Sequence, residues 1–167
     1  MADTASDGLA LPVTSLRQGQ DLGPSDWVHV TQDMISLFGA ATLDLDPMHV
    51  DPEWARNASP YGGTIAFGFL TMSLLTPLIH AVLQSRSIKI STQAGHFLNY
   101  GFDRLRLVAP VKANQRIRGH FCVLKADTDG ANRLLLTFGC EIEIEGGSRP
   151  ALVAEWLAIW IPRDVPA

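Results

Sequence analysis

Asp44 and His49 stand five positions apart in the run Asp44-Leu45-Asp46-Pro47-Met48-His49-Val50-Asp51. Tyr61-Gly62-Gly63-Thr64 follows, ahead of a long apolar segment that opens Ile65-Ala66-Phe67-Gly68. A loop stiffened by proline can set a carboxylate and an imidazole at the N-terminal end of a buried helix, where an acid/base pair meets free backbone N–H donors. That combination suits an enzyme working on an electrophilic carbonyl.

Other readings of the same residues compete with this one. Asp44, Asp46, His49 and Asp51 could form a metal loop, but the set lacks the glycine and terminal glutamate of an EF-hand, and a lone histidine fits no zinc pattern. No metal is therefore expected. Taken alone, Asp-Pro-x-His is more often a turn with an Asx cap than a catalytic loop, and it is the motifs after it that favour chemistry. His80 reads as a hydrogen-bonded core histidine, while His29, His96 and His120 belong to no partner pattern.

The chain that must position these residues has 167 residues, 47% of them hydrophobic, enough for one domain with a real core and no structural metal. Residues 13–167 read as that domain and 1–12 as a flexible N-terminus. A net charge of −4, from 13 basic and 17 acidic side chains, gives neither a field for nucleic acid nor a polybasic membrane anchor. Residues 1–7 lack the basic and apolar regions of a signal peptide, and Cys122 and Cys140 look like two small core residues in a reducing compartment. A soluble cytoplasmic protein is the expectation.

Residues 65–83 are almost uniformly apolar and resemble a membrane span, yet Thr71, Ser73, Thr76, Pro77 and His80 interrupt them. A helix buried on all sides of a globular core fits better. The wrapping comes downstream, where Leu134, Leu136, Phe138, Cys140, Ile142 and Ile144 alternate with Thr137, Glu141, Glu143 and Glu145 over 132–145. That is the period of a half-exposed antiparallel strand. Similar strands are expected at 98–108, 115–126 and 151–161, and a short one at 27–30. Thr31 reads as the N-cap of a helix over 32–42, and Pro52 as the first residue of a helical turn over 52–57. The last strand is apolar on both faces, which hints at a subunit interface.

Asp44-x-Asp46-Pro47-x-His49 resembles the Gly-Asp-x-Asn-Pro-x-His motif of the MaoC-like dehydratases, or R-specific enoyl-CoA hydratases. The resemblance runs on through Val50-Asp51-Pro52-Glu53, Tyr61-Gly62-Gly63-Thr64-Ile65-Ala66, Gly68-Phe69-Leu70-Thr71, Asn99-Tyr100-Gly101, Arg104-Leu105-Arg106 and Ala109-Pro110-Val111. It covers most of residues 25–160 and is nearest to the nodulation-N-like branch. It implies an α+β hot-dog fold: a long central helix, here 64–83, gripped by a curved antiparallel sheet, in a chain that usually pairs as a homodimer.

The resemblance also implies a reaction, the reversible syn addition of water to a trans-2-enoyl-CoA to give an R-3-hydroxyacyl-CoA in fatty acid metabolism. No cofactor is implied beyond the coenzyme A of the substrate. His49 would take the proton from water, being matched to that task by an ordinary pKa of about 6.5, and Asp44 would hold the same water and return a proton to the α carbon. Gly68 and then Phe69 are the positions for backbone donors to the enolate oxygen. Asp46, Gly63, Phe67, Asn99 and Tyr100 would line the substrate, and Arg104 and Arg106, with Lys112, Arg116 and Arg118 nearby, would meet coenzyme A phosphates. The arginines could equally solvate the outer sheet face.

Three positions depart from the family pattern: Leu43 for a glycine, Asp46 for an asparagine, and Phe67 for a histidine common before the helix glycine. Two other functions compete. A hot-dog acyl-CoA thioesterase usually needs a carboxylate on the central helix, and 64–83 contains neither Asp nor Glu. A non-catalytic acyl-thioester-binding subunit has no need of both Asp44 and His49.

Overall fold

The computed structural model describes residues 11–90 and 93–163. In chain order the elements are β1 (Leu11–Pro12), β2 (Asp21–Pro24), β3 (Val28–His29), α1 (Gln32–Thr42), α2 (Pro47–Val50), α3 (Pro52–Ala58), α4 (Gly68–Ser73), α5 (Leu75–Ser85), β4 (Ile88–Lys89), β5 (Gly95–Leu107), β6 (Arg116–Thr128), β7 (Leu134–Ile144) and β8 (Leu152–Pro162). Their alternation of long strands with one apolar helical segment builds a sheet over a helix.

The main sheet runs β2-β6-β7-β8-β5, with β3 also paired to β6, and every pairing in it is antiparallel. Register shifts between Val123 and Lys125, and between Asn99 and Gly101, leave extra residues that bend the strands. The period-two pattern of β7 lands as expected, with Leu136, Phe138 and Ile142 buried and Glu141 exposed. On the opposite face the acids meet bases across the strand pair: Arg118 with Glu143 at 2.7 Å, and Arg116 with Glu145.

The central helix departs from expectation at three points. It starts at Gly68 rather than at 64, because Ile65 is held in an antiparallel bridge to Lys112. It is divided at Leu74, where Pro77 withholds the N–H that would bond back to residue 73, although Leu74 keeps αR angles and the rod continues. It is wrapped on one face only. Leu70, Leu75, Leu78, Val82 and Leu83 pack into the core, while Phe69, Ser73, Thr76, Pro77 and His80 are exposed, so His80 is not the core histidine expected from its apolar neighbours. Gly68–Ser85 has the length and hydropathy to cross a membrane, and its packed stripe is what places it in a core.

Elsewhere the local chemistry decides. Thr31 caps α1 by accepting from the Met34 N–H at 3.2 Å, and Asp51 caps α3 through Glu53 and Trp54. Of the N-terminal stretch expected to be flexible, residues 1–10 lie outside the described residues, and Leu11–Pro12 pair in parallel with Ile88–Lys89. The last strand, expected to meet a subunit interface through its two apolar faces, is already buried on both from Ala158 to Ile161 within one chain. Cys122 and Cys140 are both free thiols.

Candidate active site

Three short turns bring His49 to the start of the central helix. Helix α1 ends with Leu43 in the left-handed region, at φ 61° and ψ 21°, which reverses the chain so that the Asp44 N–H donates to the Gly39 carbonyl at 3.0 Å. A glycine adopts these angles without a Cβ penalty, so the family's usual glycine here has a backbone reason. Asp44 Oδ1 then accepts from the Asp46 N–H at 3.3 Å, and Asp46 Oδ1 caps α2 by accepting from the Met48 N–H at 2.8 Å. The acids of this loop thus serve turns and caps. Among the described residues no group of three His, Cys, Asp or Glu could hold a metal ion.

His49 is held at three places. Its Nδ1 lies 2.7 Å from the Ile65 carbonyl oxygen. A carbonyl can only accept, so Nδ1 carries a proton, and in the neutral ring Nε2 is the lone-pair nitrogen, with no hydrogen-bond partner among the described residues. The ring stacks on Phe67, with centroids 3.9 Å apart and planes 31° from parallel. The main-chain carbonyl accepts from Gln32 Nε2 at 2.8 Å, and Oε1 of the same amide accepts from the Thr64 hydroxyl at 2.5 Å. Gln32 therefore ties α1 to both sides of the site.

The strand-like piece opposite is equally fixed. The Ile65 N–H donates to Met48, the Ala66 N–H to Val111 at 2.7 Å and the Ala113 N–H to Thr64 at 2.9 Å. Gly39 completes the seat. A Cβ there would lie 2.7 Å from the Asp44 oxygen, 3.0 Å from Val50 Cγ1 and 3.1 Å from Phe67 Cζ.

His49 and Gly68 line one cavity of about 240 Å³, together with Tyr61, Thr71, Leu107 and Val111. Thr71 is the first helix residue to donate back, to Phe67 at 3.0 Å, so the N–H groups of Gly68 and Phe69 lie in the unpaired first turn. A Cβ on Gly68 would collide with Leu107 across the cavity. Phe67 is buried behind the imidazole, and the Phe69 side chain, 71% exposed, points away from the core. Asp44 stands exposed on the turn that precedes His49, and Gly63 is half-buried beside Gly62, whose φ of 68° needs a glycine.

The remaining expected residues sit elsewhere in the chain. Asn99 lines a second, mostly apolar cavity of about 290 Å³ with Ile79, His80, Phe97 and Trp156, and its Oδ1 accepts from Trp156 Nε1 at 2.8 Å. Tyr100 is exposed on the free edge of β5. Arg104 faces Glu155 at 3.5 Å, and Arg106 donates to the Leu105 carbonyl. The sequence patterns did not single out Gln32, Thr64 or Gly39, or the Ile65 carbonyl, because each acts through a partner distant in the chain.

Comparison with known proteins places this geometry in a wider set. The family model described as MaoC like domain matches residues 14–135. The chain is 45% identical to Nodulation protein N of Rhizobium leguminosarum bv. viciae over 160 residues, covering 95% of this chain and 96% of that protein. It is 36% identical to 3-hydroxyacyl-thioester dehydratase Z of Mycobacterium tuberculosis (strain ATCC 25618 / H37Rv) over 143 residues, covering 86% of this chain and 90% of that one. The solved structure of the (R)-hydratase from A. caviae involved in PHA biosynthesis superposes with a TM-score of 0.64 at 23% identity, over 86% of this chain and 96% of that one. That likeness shows the hot-dog fold.

Proposed function

Because this chain belongs to the MaoC-like domain family, we propose that it is a hydratase/dehydratase that adds water reversibly to a trans-2-enoyl-CoA, giving an R-3-hydroxyacyl-CoA. The observation that carries the reading is the 2.7 Å contact of His49 Nδ1 with the Ile65 carbonyl oxygen: it assigns the proton to Nδ1 and leaves Nε2 as the acceptor nitrogen of a ring that lines the cavity at the start of the central helix.

In the forward direction the water oxygen bonds to C3 while His49 Nε2 takes one of its protons. The C2–C3 π electrons move onto the thioester oxygen, where the N–H groups of Gly68 and Phe69 meet the developing charge. Loss of one such donor costs about 3 kcal/mol in other enzymes. The enolate collapses as C2 takes up the proton that His49 drew from water, relayed through the Asp44 carboxylate, so that both side chains return to their starting states. One water is consumed and no electron leaves the system.

Two copies of the chain complete the reading. Strand β5 is 13 residues long, pairs among the described residues with β8 alone, and carries the exposed Leu98 and Tyr100 at that end of the sheet, where a second copy's strand could add. The test of the reaction is direct. Purified protein is incubated with crotonyl-CoA and with a longer trans-2-enoyl-CoA, and enoyl absorbance and free thiol are followed together. Loss of absorbance without thiol release is expected. Thiol release would instead identify a thioesterase, and no change with either substrate would overturn the assignment.

A further inference from the structure

Phe67 stands just before the central helix and is 4% exposed. Its ring meets the His49 ring on one side, at 3.9 Å between centroids, and the Phe38 ring on the other, at 5.3 Å. Its tip rests against Gly39, where a Cβ would stand 3.1 Å from Cζ. The ring is thus seated between α1 and the imidazole.

A histidine has little control over its own χ2. That torsion joins sp³ to sp² carbon, so its energy wells are broad and nearly two-fold, and a half-turn exchanges the Nδ1 edge with a carbon edge. That half-turn leaves the ring in the same plane, so the Ile65 carbonyl selects between the two orientations, while a tilt between them swings Nδ1 out of line with the carbonyl. A hydrogen bond alone resists tilting weakly, because carbonyl acceptors tolerate a broad range of approach. A flat, buried wall resists it directly.

We infer that Phe67 is a positioning residue: its ring face, backed by Phe38 and seated on Gly39, keeps the imidazole of His49 in the plane that bonds Ile65, so that Nε2 is the nitrogen left for the reacting water. This rests on the hydratase reading for its kinetic consequence, while the claim about ring orientation stands apart from it. Phe67 touches neither water nor thioester in this scheme. It acts through His49, so substrate affinity is left largely alone.

The test uses the full chain with Phe67→Leu, which keeps apolar bulk without a flat face, Phe67→His, which keeps a flat ring small enough for the seat, and His49→Ala. Steady-state hydration of crotonyl-CoA gives kcat and KM, and ¹⁵N spectra of the imidazoles report the His49 tautomer. For Phe67→Leu the expected result is a kcat lowered about tenfold or more with KM within about twofold, since small misplacements of a reacting group carry costs of that size. The His49 signals should change from a single Nδ1–H form to a mixture, and Phe67→His should restore both kcat and the single form. Should Phe67→Leu fail to fold, Phe67→Met is read the same way. Wild-type kcat and an unchanged tautomer in Phe67→Leu would overturn the inference. An active His49→Ala would instead remove His49 as the base, a wild type that hydrates no substrate would sink the hydratase reading, and in either case the spectra would still decide the role of Phe67.

Discussion

The proton on His49 Nδ1 is fixed by the Ile65 carbonyl, 2.7 Å away and 16 residues on in the chain. The bond ties the one-turn helix α2 to the segment that leads into the central helix, so the orientation of the imidazole and the position of the helix start are set together. Whatever loosens that segment loosens the imidazole.

Gln32 is the first place to loosen it. Its amide donates to the His49 carbonyl and accepts from Thr64, a buried residue. Gln32→Ala leaves a carbonyl and a hydroxyl underbonded, an expected loss of about 1–3 kcal/mol. Gln32→Glu removes the donor and sets a carboxylate against the His49 carbonyl. Urea unfolding should show both losses, and hydration rates should fall about tenfold in each variant.

Leu43 offers the opposite experiment. It is 88% exposed and holds a left-handed backbone, so its side chain returns little burial for the strain. The strain costs about 1–2 kcal/mol, of which about 0.4–1 is offset by the extra freedom a glycine gives the unfolded chain. Leu43→Gly should therefore stabilise the protein by about 0.5–1 kcal/mol, read as a rise in Tm of about 2–4 °C per kcal/mol for a chain of this size.

Much of the frame was legible because it is local. Thr31 and the spacing of Met34, Ile35 and Phe38 mark α1 to the residue, and the alternation from Leu134 to Ile144 marks β7. Strand β2 was hidden because Asp21, Gly23 and Pro24 are turn formers that become a strand only by pairing with β6. The start of the central helix was misplaced because Ile65 and Ala66 look helical in an apolar run, and what straightens them is a bond to Val111 and a bridge to Lys112. In the site, the motif reading drew attention to His49 and Gly68, which line one cavity, and to Asp44, which stands exposed on the turn before it and is not part of that lining. Gln32 and Gly39 carry no local signal, since their importance lies in what the folded chain puts beside them.

His80 carries the pH dependence. It borders the second cavity, where burial lowers its pKa from the ordinary histidine value. The unfolded chain therefore binds its proton more readily than the folded one. Stability is full above about pH 6.5 and declines as pH falls from there through the lower folded-state value. The effect is modest, because the side chain is partly open to solvent. Urea midpoints between about pH 7.5 and pH 5 should fall less steeply in His80→Gln than in the wild type.

The two cysteines should separate chemically. Burial pushes the Cys140 thiol up to about 12, whereas Cys122 is only half-buried. At about pH 8 Cys140 therefore stays in the unreactive thiol form. A thiol reagent should label Cys122 alone in the folded protein and Cys140 only after denaturation, as peptide mass mapping would show.

The most direct measurement is the initial rate of crotonyl-CoA hydration by the wild type, His49→Ala and Asp44→Asn, with circular dichroism confirming that each is folded. General acid–base groups contribute about a hundredfold or more, so both variants should fall at least that far while the wild type turns over. A folded His49→Ala protein that hydrates the substrate within about twofold of the wild-type rate would contradict the account.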